Sequence, residues 1–143
     1  MSKVLVVFWS GTGNTEIMAE KIAEGLENAG QEVDLRNVID VDPSEINDFS
    51  KIAFGCPSMA DEKLEEDEFA PFFEDVEGDL TGKKVALFGS YGWGSGEWME
   101  DWVERTQDAG AEVFRGEGLI INYTPDADGE DQCVEFGEAF AAF

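Results

Sequence analysis

Histidine is absent from the chain, and positive charge is scarce: nine lysines and arginines stand against 33 aspartates and glutamates, a formal net charge of −24 at pH 7. Without histidine there is no Ser-His or Cys-His nucleophile pair and none of the commonest metal ligand, so no metal site is expected. Such an excess of negative charge repels phosphate backbones and anionic lipid headgroups, which argues against nucleic acid and membrane surfaces as partners. Cysteine is nearly absent too. Cys56 and Cys133 lie far apart with no CxxC spacing, and they read as small core residues rather than a disulfide or redox pair. No apolar run approaches the ~20 residues of a membrane span. The opening MSKVLVVFW has no small-residue cleavage site, so a cytoplasmic protein without a targeting segment is expected. A chain of 143 residues has the length of one ordinary domain, and a single domain over residues 1–143 is the expectation.

What the chain does have is alternation. Residues 3–9, 51–56, 83–90 and 113–122 are apolar and rich in β-branched or aromatic side chains, as parallel strands covered on both faces are, with a weaker candidate at 33–38. Between them lie stripes at helical spacing: Met18, Ile22 and Leu26; Trp98 and Trp102 beside Met99 and Val103; Cys133, Phe136, Gly137 and Phe140. Five strands with crossover helices and no break in composition imply an α/β fold of three layers, with its sites at the carboxyl ends of the strands. The acidic stretches at 61–68 and 126–131 are short and read as solvated surface.

Directly after the first apolar run the chain reads WSGTGNTEIMAEKIAEGL, a glycine-punctured, hydroxyl-rich loop entering a helix without any lysine or arginine before Lys21. A Walker loop would need a lysine at fixed spacing, and a dinucleotide fingerprint would need glycine where Glu16 stands. Both fail. A turn from a strand end into a helix nevertheless offers unpartnered backbone N–H groups at the positive end of the helix dipole. Ser10, Thr12, Asn14 and Thr15 add neutral donors, more than a simple helix cap requires. Two later strands end in similar loops, GCPSMADEKLEE and GSYGWGSGEWM. Met59 and Trp93 would stand at the mouth of the same crevice, a polarizable thioether and an indole suited to sandwich a flat aromatic ligand, although either alone is more often a core residue. Glycines at 92, 94 and 96 around an aromatic suggest close backbone approach to a ligand.

The combination of SGTGNT, SMADE and GSYGWGSGEWM, in this order and across the full chain, resembles a flavodoxin of the short-chain type found in anaerobic bacteria. The resemblance implies a five-stranded parallel sheet in the order 2-1-3-4-5, helices on both faces, no long-chain insertion in the last strand, and one noncovalently bound FMN. Carried over by position, it implies that Ser10, Gly11, Thr12, Gly13, Asn14 and Thr15 hold the phosphate and that Met59 and Trp93 flank the isoalloxazine. Ser58 borders the ribityl chain; Ser90, Tyr91 and Gly92 line the ribityl and pyrimidine side. Met59, Ala60, Asp61 and Glu62 form a turn facing flavin N5 and N3, and Pro57, Gly94 and Asn122 complete the candidate set. The chain departs from the pattern at Pro57, where some relatives have serine, and at Ala60, where the turn usually has glycine.

By the same resemblance the protein is an electron-transfer protein rather than an enzyme, a low-potential carrier moving single electrons as the flavin passes between quinone, semiquinone and hydroquinone. Negative charge near the pocket disfavours an anionic reduced flavin, since two unit charges ~10 Å apart cost ~1.7 kcal/mol at an effective dielectric constant of 20. The expected partners are redox enzymes with basic docking faces, such as ferredoxin or flavodoxin reductases and oxidoreductases, met by an acidic monomer. The alternative is an FMN-dependent quinone or nitro reductase on the same fold. A phospho-acceptor signalling domain is excluded, because Trp-Ser-Gly and Cys-Pro-Ser stand where it would need aspartates.

Overall fold

Apolar, β-branched runs occupy the middle of the sheet. The protein is described here by a computed structural model covering residues 3–11, 13–59, 63–92 and 94–143. Its strands are β1 (Lys3–Phe8), β2 (Glu32–Asn37), β3 (Lys51–Gly55), β4 (Lys84–Tyr91), β5 (Glu112–Val113) and β6 (Leu119–Asn122), and its helices are α1 (Asn14–Asn28), α2 (Phe69–Glu77), α3 (Glu97–Asp108) and α4 (Ala127–Ala141). All strand pairs are parallel, in the order β2-β1-β3-β4-β5, with β6 also on β4. β1, β3 and β4 are almost wholly buried, whereas the edge strand β2 is only half covered. That difference explains why residues 33–38 gave the weaker strand signal.

Alternation along the strands divides the core into two layers. Leu5, Val7, Ile52, Phe54, Val85 and Leu87 meet Phe69, Phe72 and Phe73 of α2 and Trp98 and Trp102 of α3. On the other face Val4, Val6, Phe8, Ala53, Ala86 and Phe88 meet Met18, Ile22 and Leu26 of α1 and Cys133, Phe136 and Phe140 of α4. Both cysteines are free and buried, as expected of small core residues. Helices α1 and α4 touch backbone to backbone: a Cβ at Gly25 would collide with the carbonyl oxygen of Val134, and one at Gly137 with that of Ile22. Gly137 therefore belongs to the stripe because it is small.

The structure corrects the sequence reading in three places. The single strand expected at 113–122 is broken. Between its ladders β4 advances from Val85 to Phe88 while its neighbour advances from Val113 to Leu119, so the edge segment loops out extra residues. Phe114 turns into the α4 layer, its ring 5.2 Å from that of Phe136, while Arg115 and Gly116 take left-handed conformations at φ 64° and 66°. Gly118 then passes so close to Met99 of α3 that a Cβ would strike its sulfur. Helix α2, named by no stripe above, buries Phe69, Phe72, Phe73 and Val76. The acidic stretch 61–68 is not all solvated surface: Glu65 is 5% exposed, and its carboxylate accepts the N–H groups of Asp67, Glu68 and Phe69, each at 2.8 Å, where α2 begins.

Candidate functional site

The carboxyl ends of β1, β3, β4 and β6 converge on a crevice of ≈240 Å³ lined by Trp9, Gly11, Asn14, Pro57, Ser58, Met59, Ser90, Tyr91, Gly92 and Tyr123. None of these described lining residues carries a charge, although the chain is acidic throughout. Three loops predicted from sequence to act together do meet here. A larger cavity of ≈590 Å³ lies along α2 and α3, but it is lined by Glu77, Asp101, Glu104 and Asp108 with Arg105. Four carboxylates make it an acidic groove unsuited to an anion, and no strand-end loop reaches it.

Helix α1 enters the crevice through Gly13, an N-cap at φ 94° with no side chain to offer. Ser10 Oγ accepts the N–H of Gly13 at 3.0 Å and tightens the loop. Thr15, 1% exposed, has its Oγ1 3.0 Å from Ser90 Oγ and accepts the Ser90 N–H at 3.4 Å, which fastens the start of α1 to the end of β4. Asn14 Oδ1 accepts from Thr124 Oγ1 at 2.8 Å. None of these contacts takes up the N–H groups of Asn14, Thr15 and Glu16, which have no acceptor within the helix. A capping role therefore does not account for the loop.

The second loop leaves β3 as an extension of the ladder, with Ser58 N–H donating to Ser90 O at 2.9 Å. Met59 and Lys63 then form an antiparallel bridge, Met59 N–H donating to Lys63 O at 2.9 Å. Met59 is 36% exposed at the crevice rim. The third loop carries Tyr91 and Gly92; Asn122 Nδ2 donates to the carbonyls of both, at 3.2 Å each. Asn122 thus holds the loop rather than lining the crevice. Gly94 is exposed at φ 94° and also lies outside the lining. Thr12, Ala60, Asp61, Glu62 and Trp93 are outside the described residues. Trp98 is buried, donating from Nε1 to Cys56 O at 3.3 Å.

Trp9 and Tyr123 are lining residues that the sequence reading missed. Each follows or ends a predicted strand on its carboxyl side, which is the signal that could have found them. Trp9 Nε1 donates to Glu68 Oε1 at 2.8 Å and ties the first loop to the approach of α2. The thiols offer no chemistry. Burial pushes Cys56 far up and, with Glu130 nearby, pushes Cys133 up to about 12, so both are protonated at neutral pH.

A doubly wound parallel sheet whose strand ends enclose a neutral, glycine-lined crevice at a helix N-terminus defines the class of α/β proteins that hold a phosphorylated cofactor by backbone and hydroxyl groups. The flavodoxin family model matches residues 6–137. The chain is 48% identical over 136 residues to the flavodoxin of Clostridium beijerinckii, covering 95% of this chain and 97% of that one. The solution structure of two-electron reduced Megasphaera elsdenii flavodoxin superposes with a TM-score of 0.89 at 46% identity, covering 98% and 99% of the two chains. A flavodoxin from the domain Archaea gives 0.88 at 30% identity, covering 98% and 96%. The chain belongs to the flavodoxin family. It is a low-potential FMN electron carrier rather than an enzyme, and it exchanges electrons with redox partners. Among the described residues no helix is long and apolar enough to cross a membrane.

Proposed function

We propose that residues 1–143 act as one FMN-binding domain of a monomeric cytoplasmic carrier, with the first loop gripping the phosphate and the second and third loops bracketing the ring. The uncharged, glycine-lined crevice at the strand ends carries this reading. The donor set fits the cofactor: free N–H groups at the start of α1 and neutral hydroxyls suit a phosphate, and Gly11 keeps backbone exposed where a Cβ would lie 2.9 Å from the Trp9 ring. When bound, FMN supplies the electron chemistry.

The chain's own residues bind and orient. Thr15 and Ser90 lock two of the gripping loops to each other. Asn14, steered by Thr124, sits in the wall, and Asn122 fixes the carbonyls of Tyr91 and Gly92. The bridge between Met59 and Lys63 holds these two residues of the second loop together. Outside the rim the acidic surface steers the protein toward basic faces on reductases and oxidoreductases, with rates that fall as salt rises.

Titration of the apoprotein with FMN and with riboflavin tests the assignment. One FMN binds per chain, and riboflavin binds at least about a hundredfold more weakly, because two or more charge-assisted hydrogen bonds of ~1.5–3 kcal/mol each are lost with the phosphate. Equal affinities would overturn the loop assignment, and failure to bind FMN would overturn the reading itself.

A further inference from the structure

Tyr123 adopts φ 56°, and Arg115 is the other described non-glycine residue with positive φ. Glycine or asparagine would take this conformation more readily. Tyr123 as a whole is 61% exposed, so burial does not explain why a tyrosine is held there. The surroundings nevertheless fix it closely. Tyr123 N–H donates to Tyr91 O at 2.7 Å, Asn122 on one side bonds the Tyr91 and Gly92 carbonyls, and Thr124 on the other bonds Asn14. The turn thereby straps the third loop to the first. Its ring lies over Gly92: a Cβ there would fall 3.2 Å from Tyr123 Cε1, 3.6 Å from Cζ and 3.8 Å from Oη. Strain maintained by so many contacts, at an exposed residue that lines the crevice, points to a use in the loaded protein.

We propose that Tyr123 is a retention residue for FMN, an aromatic clasp at the rim of the crevice whose ring slows release of the bound cofactor. The inference rests on the FMN reading above. An aromatic face can contact the cofactor without any charge, which suits a crevice whose described lining is neutral. The left-handed backbone sets the ring beside Gly92 in the crevice wall. The hydroxyl has no assigned part in retention, so phenylalanine should serve as well.

The test uses the full chain reconstituted with FMN, with release followed by the return of free-flavin fluorescence and with thermal unfolding of each apoprotein measured alongside. Tyr123→Gly and Tyr123→Asn remove the ring but suit the backbone, and each releases FMN about tenfold faster than wild type, as expected for the loss of one aromatic contact. Tyr123→Phe stays within about twofold of wild type on the same scale. The unfolding midpoints of the Gly and Asn apoproteins are no lower than that of wild type, since backbone strain has been relieved. Wild-type release rates in both ring-less variants would overturn the proposal, as would a Phe variant as fast as Gly, or faster release that tracks a lowered apoprotein midpoint. Wild-type protein that fails to bind FMN would instead overturn the function reading on which the proposal stands.

Discussion

Thr15 and Ser90 are 75 residues apart, yet their hydroxyls meet in a buried space: Thr15 is 1% exposed and Ser90 5%. Each satisfies the other, and Thr15 also takes up the Ser90 N–H. Thr15→Val keeps the shape and removes the hydroxyl, leaving a buried hydroxyl and a weakened N–H, a loss of ~1–3 kcal/mol. Urea unfolding of the apoprotein should show that loss, and Thr15→Ser, which keeps the oxygen, should recover much of it. An unchanged midpoint for Thr15→Val would mean that the pair does not hold the loops together. Trp98 illustrates the same distinction between support and contact. Sequence placed it on the helix after the third loop, and the structure adds that its indole N–H is occupied by Cys56 O within the core. Its removal therefore acts through folding.

Among the elements, α2 depends most on one buried side chain. Its N-cap position, Glu68, makes no side-chain cap bond, while Glu65 supplies a carboxylate to three N–H groups and donates its own N–H to Cys56 Sγ at 3.4 Å. Glu65→Ala frees those donors at a buried helix start and should cost the apoprotein about 2 kcal/mol, at the upper end of cap losses. Chemical denaturation measures it, and a loss below a few tenths would show that water replaces the carboxylate. The sequence could not distinguish Glu65 from its acidic neighbours, because a charge run reads as surface until the fold turns one member inward. The stripes of α1, α3 and α4 were legible since nothing competes with their period. That of α2, at Phe69, Phe72, Phe73 and Val76, spans little more than two turns and follows directly on the acidic run, so its period is too short to stand out. The break between β5 and β6 was not legible: it arises from Phe114 packing on α4 and from Gly118 slipping past Met99, contacts between segments distant in sequence. At the site, Asn14, Ser58, Met59 and Ser90 were placed by motif, whereas Trp9 and Tyr123 required the convergence of strand ends to be seen.

For the whole molecule the question is how nine cations are spent against 33 acids. Lys51 donates to the carbonyls of Phe140 and Ala141 at 3.1 and 3.0 Å, and Lys84 to that of Phe143 at 2.9 Å, each also standing over an aromatic ring of the same segment. These lysines sit where the end of α4 concentrates carbonyl charge, so they bind the helix to the amino ends of β3 and β4. Arg105 forms a two-point contact with Glu77, at 2.6 and 2.9 Å, and joins α3 to α2. Cations used to fasten elements leave most acids uncompensated, and their mutual repulsion opposes the compact state. Salt acts on both sides of this balance. It weakens exposed pairs such as Arg115–Glu135, 2.9 Å apart, but each is worth at most ~1 kcal/mol. It also shortens the reach of the repulsion, from a Debye length of ~30 Å at 0.01 M to ~8 Å at 0.15 M. With a net charge of −24 the second effect prevails. The apoprotein's thermal midpoint should therefore rise as sodium chloride increases across this range, potassium chloride should act equally, and the association rate for FMN, whose phosphate must approach an acidic surface, should rise in parallel. A midpoint that falls with salt would show that the few ion pairs outweigh the repulsion, and equal association rates at both ends of the range would show that the neutral crevice shields the incoming phosphate from the surrounding field.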